Sequence, residues 1–183
     1  NTEKSDMKNI PYGIADFKVI QDENFYYVDK TMYIPLLEAA GKFLLLIRPR
    51  RFGKTLFLNV LEGYYDIAWK DEFDSLFRDT YIKTHPTQEK NAYLILKFNF
   101  SAVNPDPQKV EASFNDHAKI RFFFFGKKYH ELLGEDYFAL IDQFENAYEK
   151  LQFLLDYVGA VGHKVYVLID EYDNFANTIL ATI

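Results

Sequence analysis

An apolar run followed by a basic loop and a helical pattern is the feature that most constrains how this chain folds. Residues 42–49 read KFLLLIRP, and their apolar residues do not alternate, which is typical of a strand buried on both faces of a parallel sheet. The triplet Gly53-Lys54-Thr55 follows, and from Thr55 onward apolar residues recur at helical spacing. The order of strand, basic loop and helix predicts a phosphate-binding loop.

The opening of this loop departs from the general phosphate-loop pattern G-x-x-x-x-G-K-[ST]. Residues 48–55 read RPRRFGKT, so Arg48 stands where the first glycine is usual. That glycine mainly lets the chain leave the strand. Pro49 fixes its own φ near about −65° and biases Arg48 towards an extended conformation. We therefore expect Arg48 to end the strand without preventing nucleotide binding.

The second half of the loop carries the chemistry of phosphate binding. Gly53 lets the backbone approach the phosphates, Lys54 reaches the β and γ oxygens, and Thr55 offers a hydroxyl to Mg²⁺. Two arginines before them add positive charge that suits a polyphosphate. A solvent-exposed basic loop is the alternative, because a G-K-T triplet alone is weak evidence. The residues expected to contact the nucleotide are Arg50, Arg51, Phe52, Gly53, Lys54, Thr55 and Leu56.

Two further apolar runs predict strands that belong to the same sheet. Residues 92–101 read AYLILKFNFS, and residues 163–173 read HKVYVLIDEYD. The chain between them, residues 108–160, has helical periodicity with interruptions near Gly126 and Gly134. Strands separated by helices predict an α/β fold with a largely parallel sheet. The helical stripe expected to be buried is Phe144, Tyr148, Leu151, Leu155 and Val158.

Two acids stand at the end of the third predicted strand. The carboxyl ends of parallel strands form the ligand crevice of open α/β sheets, so Asp170 and Glu171 are expected beside the phosphate loop. Asp170 would bind Mg²⁺ through coordinated water, and Glu171 would act as general base on the attacking water. The alternative is structural, because a buried strand that reaches solvent commonly ends in polar residues. The loop upstream favours the catalytic interpretation.

Composition limits the classes of function. The net charge of −6 gives no overall electrostatic case for binding nucleic acid, and the absence of cysteine excludes disulfides and thiolate metal sites. No apolar run is long enough to span a membrane, and the polar start NTEKSD has no signal-peptide core. The four histidines are scattered, so no metal other than Mg²⁺ is expected. These features favour the cytoplasm.

Four consecutive phenylalanines, residues 122–125, lie in a predicted helix. Consecutive positions cannot all face one core, so we expect the rings to be divided between the core and packing against another domain. The alternative is a platform on which nucleic-acid bases stack, with Arg121, Lys127 and Lys128 as its cations.

With the loop, the second strand and the acid pair in place, the sequence resembles the AAA-ATPase-like family of bacterial and archaeal P-loop proteins. In that family an arginine in place of the first loop glycine is usual. The resemblance implies a P-loop NTPase fold with three α/β/α layers and a mostly parallel core sheet, incomplete here at its C-terminal side. The segments that carry it are IPYGIADFKVI near the start, YYVDKT at 26–31, RPRRFGKTLFLNVLEGYY at 48–65, FDSLF at 73–77 and LIDEYD at 168–173.

The resemblance implies a role for each matching residue of the loop and the acid pair. As a Walker A motif, Gly53, Lys54 and Thr55 would hold the phosphates and the Mg²⁺ of ATP. As a Walker B motif, Asp170 would hold the metal and Glu171 the attacking water.

The chain is expected to have three parts, the first of which ends before Met7, a natural initiator. Residues 1–6 are expected to be disordered or foreign to the domain, residues 7–41 to pack on the nucleotide site, and residues 42–183 to form the P-loop core. In related ATPases a segment before the first strand lies near the adenine, which would bring Tyr27 and Asp29 close to the base.

The function implied by the resemblance is ATP binding and Mg²⁺-dependent hydrolysis that drives or gates an attached C-terminal, nuclease-like domain, in a monomer or a homo-oligomer. A nucleotide-binding sensor or scaffold without appreciable turnover is one alternative. A small-molecule kinase is another, but a glutamate directly after the metal-binding acid suits activation of water better than transfer to a bound acceptor.

Overall fold

The structure is a computed structural model that describes residues 8–46 and 52–172. The chain divides into two units, Asn1–Asn91 and Ala92–Ile183, which are described in turn. The division falls inside the predicted core of residues 42–183, and the predicted segment boundaries stay predictions.

The first unit is helical in its described part. Two 3₁₀ turns, Thr31–Tyr33 and Ile67–Glu72, precede its second and fourth helices. One helix ends before Gly41 and, as predicted, another covers the helical pattern that follows the loop. The helices are α1 (Phe17–Asp22), α2 (Ile34–Ala40), α3 (Lys54–Tyr65), α4 (Phe73–Leu76) and α5 (Tyr81–Thr84).

Aromatic rings form the centre of the first unit. The ring centroid of Phe77 lies 5.2 Å from that of Phe17, 5.8 Å from that of Tyr64 and 4.9 Å from that of Phe73. All four side chains are buried. Burial of such a side chain stabilises a fold by roughly 1.5–3 kcal/mol, so this cluster holds α1, α3 and α4 together.

Residues 42–46 differ from the prediction of a buried strand. They form no strand, and Phe43 and Leu45 are 98% and 66% exposed. An apolar run without alternation predicts burial, but a strand also needs a neighbouring strand that supplies hydrogen bonds. No strand pairs with these residues in the described part of the chain, so the prediction is wrong for them. Its remainder, residues 47–49, lies outside the described residues.

The second unit is built on two parallel strands. β1 (Tyr93–Asn99) and β2 (Lys164–Asp170) pair in register, from Tyr93 opposite Lys164 to Asn99 opposite Asp170. Both strands, their parallel pairing and the α/β class are confirmed. The sheet has two strands in the described part of the chain, and the larger three-layer P-loop sheet stays a prediction.

Of the two breaks predicted in the helical crossover between the strands, one is present and the other is absent. Gly134 follows the short second helix with φ +80°, as expected, whereas Gly126 lies inside the long first helix. A Cβ atom at Gly126 would lie 2.6 Å from Cδ1 of Tyr137 and 2.9 Å from Cε1 of Phe138. Gly126 therefore allows close packing and does not break the helix. The crossover helices are α6 (Val110–Lys128), α7 (His130–Leu133), α8 (Asp136–Ile141) and α9 (Ala147–Ala160).

The buried face of α9 differs from the predicted stripe. Val158 is buried, but Tyr148 and Leu155 are exposed. The predicted stripe is wrong because the buried side of α9 is turned towards Lys150, a residue type usually placed on the solvent side of a helix. Lys150 is buried and donates a hydrogen bond to the Ile141 carbonyl at 2.8 Å. The residues of α9 that are buried are Ala147, Lys150, Leu154 and Val158.

The four consecutive phenylalanines are divided as expected for a helix. Phe122 and Phe125 are buried, whereas Phe123 and Phe124 are 48% and 58% exposed. Despite these rings, none of the helices within the described ranges is both long and apolar enough to cross a membrane.

Candidate nucleotide-binding site

The phosphate-loop residues lie at the start of α3. Gly53 directly precedes the helix with φ +74°, a left-handed conformation that glycine adopts without strain. Among the described residues no side chain caps α3, and its first turn contains no acid. Since the first N–H groups of a helix have no partner inside the helix, an uncapped start of this kind favours an anion.

The first turn of α3 presents the other expected groups. Lys54, Thr55 and Leu56 are partly buried, and Phe52 before them is 62% exposed. The described half of the loop thus combines backbone N–H groups, an ammonium and a hydroxyl, which are the groups that bind phosphate and Mg²⁺. Outside the described residues lie Arg48, Arg50 and Arg51.

A hydrogen bond ties α3 to the segment before α1. The side-chain amide of Asn59 donates to the Ala15 carbonyl at 2.6 Å, and α1 packs on α3. The N-terminal segment therefore contacts the helix that starts at the loop. Its contact with a bound nucleotide, predicted for residues 7–41, stays a prediction.

Tyr27 and Asp29, the residues predicted to lie near the adenine, have structural contacts. The Tyr27 ring lies 5.1 Å from that of Phe17, and burial, together with the charge of Asp29, raises the pKa of the Tyr27 hydroxyl. The Asp29 carboxylate accepts hydrogen bonds from the backbone N–H groups of Thr31 at 2.8 Å and Tyr81 at 2.7 Å. Both oxygens of Asp29 thus have partners, and its role at the adenine stays a prediction.

Thr31 completes this connection. Its side chain is fully buried, and its hydroxyl accepts a hydrogen bond from the backbone N–H of Ile82 at 3.1 Å. Asp29 and Thr31 thereby cap the first two N–H groups of α5, 52 and 51 positions further along the chain. The YYVDKT segment therefore has a structural task, which is to join the loop before α2 to α5.

Asp170 and Glu171 lie at the carboxyl end of β2, as predicted. Asp170 is 4% exposed, and its Oδ1 accepts a hydrogen bond from the backbone N–H of Glu171 at 2.9 Å. Its other oxygen accepts no hydrogen bond from the described residues. Carboxylates are ligands that Mg²⁺ prefers, so the Asp170 side chain at this edge suits a cation.

Glu171 has an unusual backbone conformation. Its φ is +59°, in the left-handed region that side chains other than glycine rarely adopt. The conformation costs about 1–2 kcal/mol, and such residues concentrate at functional sites.

Asn99 is a residue of this edge that the sequence analysis missed. It ends β1 and is the direct partner of Asp170 across the parallel pair. Its Oδ1 accepts hydrogen bonds from the backbone N–H and the hydroxyl of Ser101 at 3.0 and 2.7 Å. The available signal was the polar residue in KFNFS, because parallel strands place their final residues at one edge of a sheet.

His117 of α6 also contacts the end of β1. Its Nε2 accepts a hydrogen bond from the backbone N–H of Asn99 at 3.3 Å, which requires a neutral ring. Burial lowers the pKa of His117, and the positive charge of Arg121 lowers it further. The native ring therefore resists protonation.

This shift predicts a loss of stability in acid. As the pH falls below about 6.5, the unfolded chain protonates His117 while the folded chain does not, so the free energy of unfolding decreases by up to about 1.4 kcal/mol per pH unit. The decrease ends once the pH passes the lowered pKa. We expect His117→Gln to show a weaker dependence than the wild type in urea titrations at pH 8, 6.5 and 5.5. Identical curves for the two proteins would contradict this role.

The structure describes the loop and the acids in different units. Thr55 lies in the first unit, and Asp170 and Glu171 lie in the second. Within residues 8–46 and 52–172, no group of three or more His, Cys, Asp or Glu side chains could hold a metal ion. In nucleotide sites Mg²⁺ is held by one or two protein groups together with phosphates and waters, so a hydroxyl and a carboxylate suit it.

The parallel strands and the helices between them define an α/β protein. The glycine before α3 marks a candidate phosphate site. The family model described as "Predicted AAA-ATPase" matches residues 11–183, and the chain belongs to this AAA-ATPase-like family. This match confirms the resemblance, while the nuclease-like domain stays a prediction.

A curated relative comes from Azotobacter chroococcum mcd 1 and is described as "Uncharacterized protein in vnfD 5'region". It is 31% identical over 169 residues, which cover 91% of this chain and 29% of the relative. The chain thus spans less than a third of that protein. No solved structure matches the chain.

Proposed function

We propose that this chain binds ATP with Mg²⁺ at the start of α3 and hydrolyses it. The observation that carries the proposal is the geometry of Gly53-Lys54-Thr55, in which a left-handed glycine leads into an uncapped helix that starts with an ammonium and a hydroxyl. Membership of the AAA-ATPase-like family supports the same ligand.

Each of these groups has a distinct task on the nucleotide. The N–H groups of the first turn of α3 and the ammonium of Lys54 bind the β and γ phosphates. The hydroxyl of Thr55 and the carboxylate of Asp170 hold Mg²⁺, directly or through water. When bound, the ion supplies positive charge that stabilises the phosphoryl group in transfer. The approach of Asp170 to the loop is part of the proposal.

Glu171 is assigned as the general base. Its carboxylate accepts a proton from the attacking water while the water oxygen bonds to the γ phosphorus and the bond to the leaving ADP oxygen breaks. Solvent then takes the proton from Glu171. The 2.9 Å hydrogen bond from the backbone N–H of Glu171 orients the Asp170 carboxylate, which would hold the metal beside the assigned base.

The limited span of the chain motivates a second candidate function, a nucleotide sensor without appreciable turnover. The chain covers 29% of its curated relative, and groups from the remaining part or from a second subunit would complete turnover. Phosphate release from ATP above background, lost when Lys54 is changed to Ala, would exclude this candidate.

The family resemblance extends the proposal to the rest of the protein. There, the nucleotide state of this chain drives or gates an attached nuclease-like domain in the cytoplasm, in a monomer or a homo-oligomer. Nuclease activity that changes with ATP in the protein as its gene encodes it would support this extension, and the absence of any nuclease-like domain from that gene would exclude it.

Lys54→Ala is the direct test of nucleotide binding. Loss of the ammonium removes the charge-assisted contacts to the β and γ phosphates, so we expect the affinity for MgATP to fall at least about 10-fold. Isothermal titration calorimetry of the folded protein measures the change.

Lys70→Ala is the matched control, because it removes the same charge from an exposed lysine in the turn before α4. Its affinity for MgATP should equal that of the wild type. Equal affinities of all three proteins would refute the assignment of Lys54. Equal losses of affinity in both variants would show that only the overall charge of the protein matters, and would refute it as well.

A further inference from the structure

A groove in the second unit is lined by none of the residues assigned to the nucleotide. It has a volume of about 250 Å³, and its walls come from α6, α8 and α9. We call it the α6–α8 groove. The residues that matter here are Lys119, Phe123, Lys127, Phe138, Asp142 and Lys150.

The exposed ring of Phe123, the partly buried ring of Phe138 and a lysine form the middle of the α6–α8 groove. The ring centroids of Phe123 and Phe138 lie 5.7 Å apart, and the ammonium of Lys127 lies 5.7 and 5.4 Å from them. The groove is below the usual 300–1,000 Å³ of small-molecule pockets. Its volume therefore suits a single large apolar side chain.

The charges of the groove are opposite to those of the chain as a whole. The chain carries a net charge of −6, but three lysines and one aspartate line the groove. The aspartate, Asp142, lies 3.7 Å from the ammonium of Lys150, which is buried and bound to the Ile141 carbonyl. In the described part of the chain, Lys119 and Lys127 form no ion pair. Two cations are therefore left for an anionic ligand.

The positions of the groove residues along α6 determine how far apart the matching groups of a ligand must lie. Lys119, Phe123 and Lys127 are four residues apart, so they lie on one side of the helix at intervals of about 6 Å. In an extended peptide, every second side chain points to the same side, at intervals of about 6.6 Å. Acidic, apolar and acidic side chains at positions i, i+2 and i+4 of such a peptide match the helix.

We propose that the α6–α8 groove binds an extended segment of a partner protein in which two acids flank a large apolar residue at this alternating spacing. The apolar side chain packs against Phe123 and Phe138, and the two carboxylates pair with Lys119 and Lys127. Nucleic acid suits the groove less well, because the net charge of −6 gives the chain no overall attraction for a polyanion. This site acts independently of the nucleotide.

A labelled heptapeptide, Ser-Asp-Ser-Phe-Ser-Glu-Ser, tests the proposal by fluorescence anisotropy with the 183-residue chain. We expect measurable binding that weakens at least about 10-fold when Ala replaces the peptide's Phe, or when Asn and Gln replace its acids. A peptide of the same composition with both acids next to the Phe should also bind more weakly. Equal binding of these peptides would overturn the proposal.

Two double variants test the protein side. Lys119→Gln with Lys127→Gln should weaken peptide binding at least about 10-fold, whereas Lys70→Gln with Lys109→Gln, which changes the net charge equally, should change it less than about 2-fold. All four lysines are exposed, so both variants should keep the wild-type circular dichroism. Equal losses in the two variants would overturn the groove assignment, as would tighter binding of a single-stranded oligonucleotide that the first variant alone loses.

Discussion

Replacing Glu171 with Gln is expected to reduce ATP turnover at least about 100-fold while the affinity for MgATP changes less than about 3-fold. Gln keeps the size of the side chain but cannot accept the proton of the attacking water, and a positioned general base contributes about 10²–10⁴-fold to a rate. Single-turnover phosphate release and calorimetric binding, both on the protein as its gene encodes it, separate the two effects.

Asp170→Asn provides a contrast to this variant. Because Asp170 is assigned to Mg²⁺, its loss should raise the Mg²⁺ concentration needed for half-maximal turnover, whereas Glu171→Gln should lower the rate at every Mg²⁺ concentration. If Glu171→Gln left the rate unchanged, the assignment of the base would be refuted. If both variants merely destabilised the second unit, urea titration would show equal losses of stability and no difference in Mg²⁺ dependence.

Local sequence patterns predicted the type of several elements, including two strands whose partners lie 71 positions apart along the chain. The apolar runs that became β1 and β2 pair with each other, and the helix at Lys54–Tyr65 follows from its own periodicity. The run at residues 42–46 failed because its burial would depend on a neighbouring strand that the sequence does not specify. Element type follows from local pattern, whereas burial depends on contacts between distant segments.

The motifs predicted where Gly53, Asp170 and Glu171 lie relative to the regular elements, whereas their roles stay predictions. Gly53 directly precedes α3, Asp170 ends β2 and Glu171 follows it, as the motifs indicate. Asp29 shows the limit, because its carboxylate caps α5 at Tyr81, 52 positions further along the chain. No pattern local to the YYVDKT segment indicates that contact.

Replacing Gly126 with Ala is expected to destabilise the second unit by about 1–2 kcal/mol. A Cβ atom would lie 2.6 Å from Cδ1 of Tyr137 and 2.9 Å from Cε1 of Phe138. Tyr137 is fully buried, and its hydroxyl donates to the Phe122 carbonyl at 3.2 Å, so its ring has little room to move. Overpacking commonly costs about 1–3 kcal/mol, and contacts this short place the cost at about 2–3 kcal/mol, which outweighs the gain of about 1 kcal/mol in helix propensity.

Gly159→Ala is the matched control and should have the opposite sign. Gly159 is also helical, but it is exposed in α9, and a Cβ atom there would meet nothing within 4 Å. Its replacement should stabilise the unit by about 0.5–1 kcal/mol, because helix propensity acts alone. Urea titration followed by far-ultraviolet circular dichroism measures both changes, and the fluorescence of Trp69, the single tryptophan, reports on the first unit. If both variants were stabilised, α8 would be able to move away from α6 at little cost. The proposal that close packing requires glycine at position 126 would then be wrong.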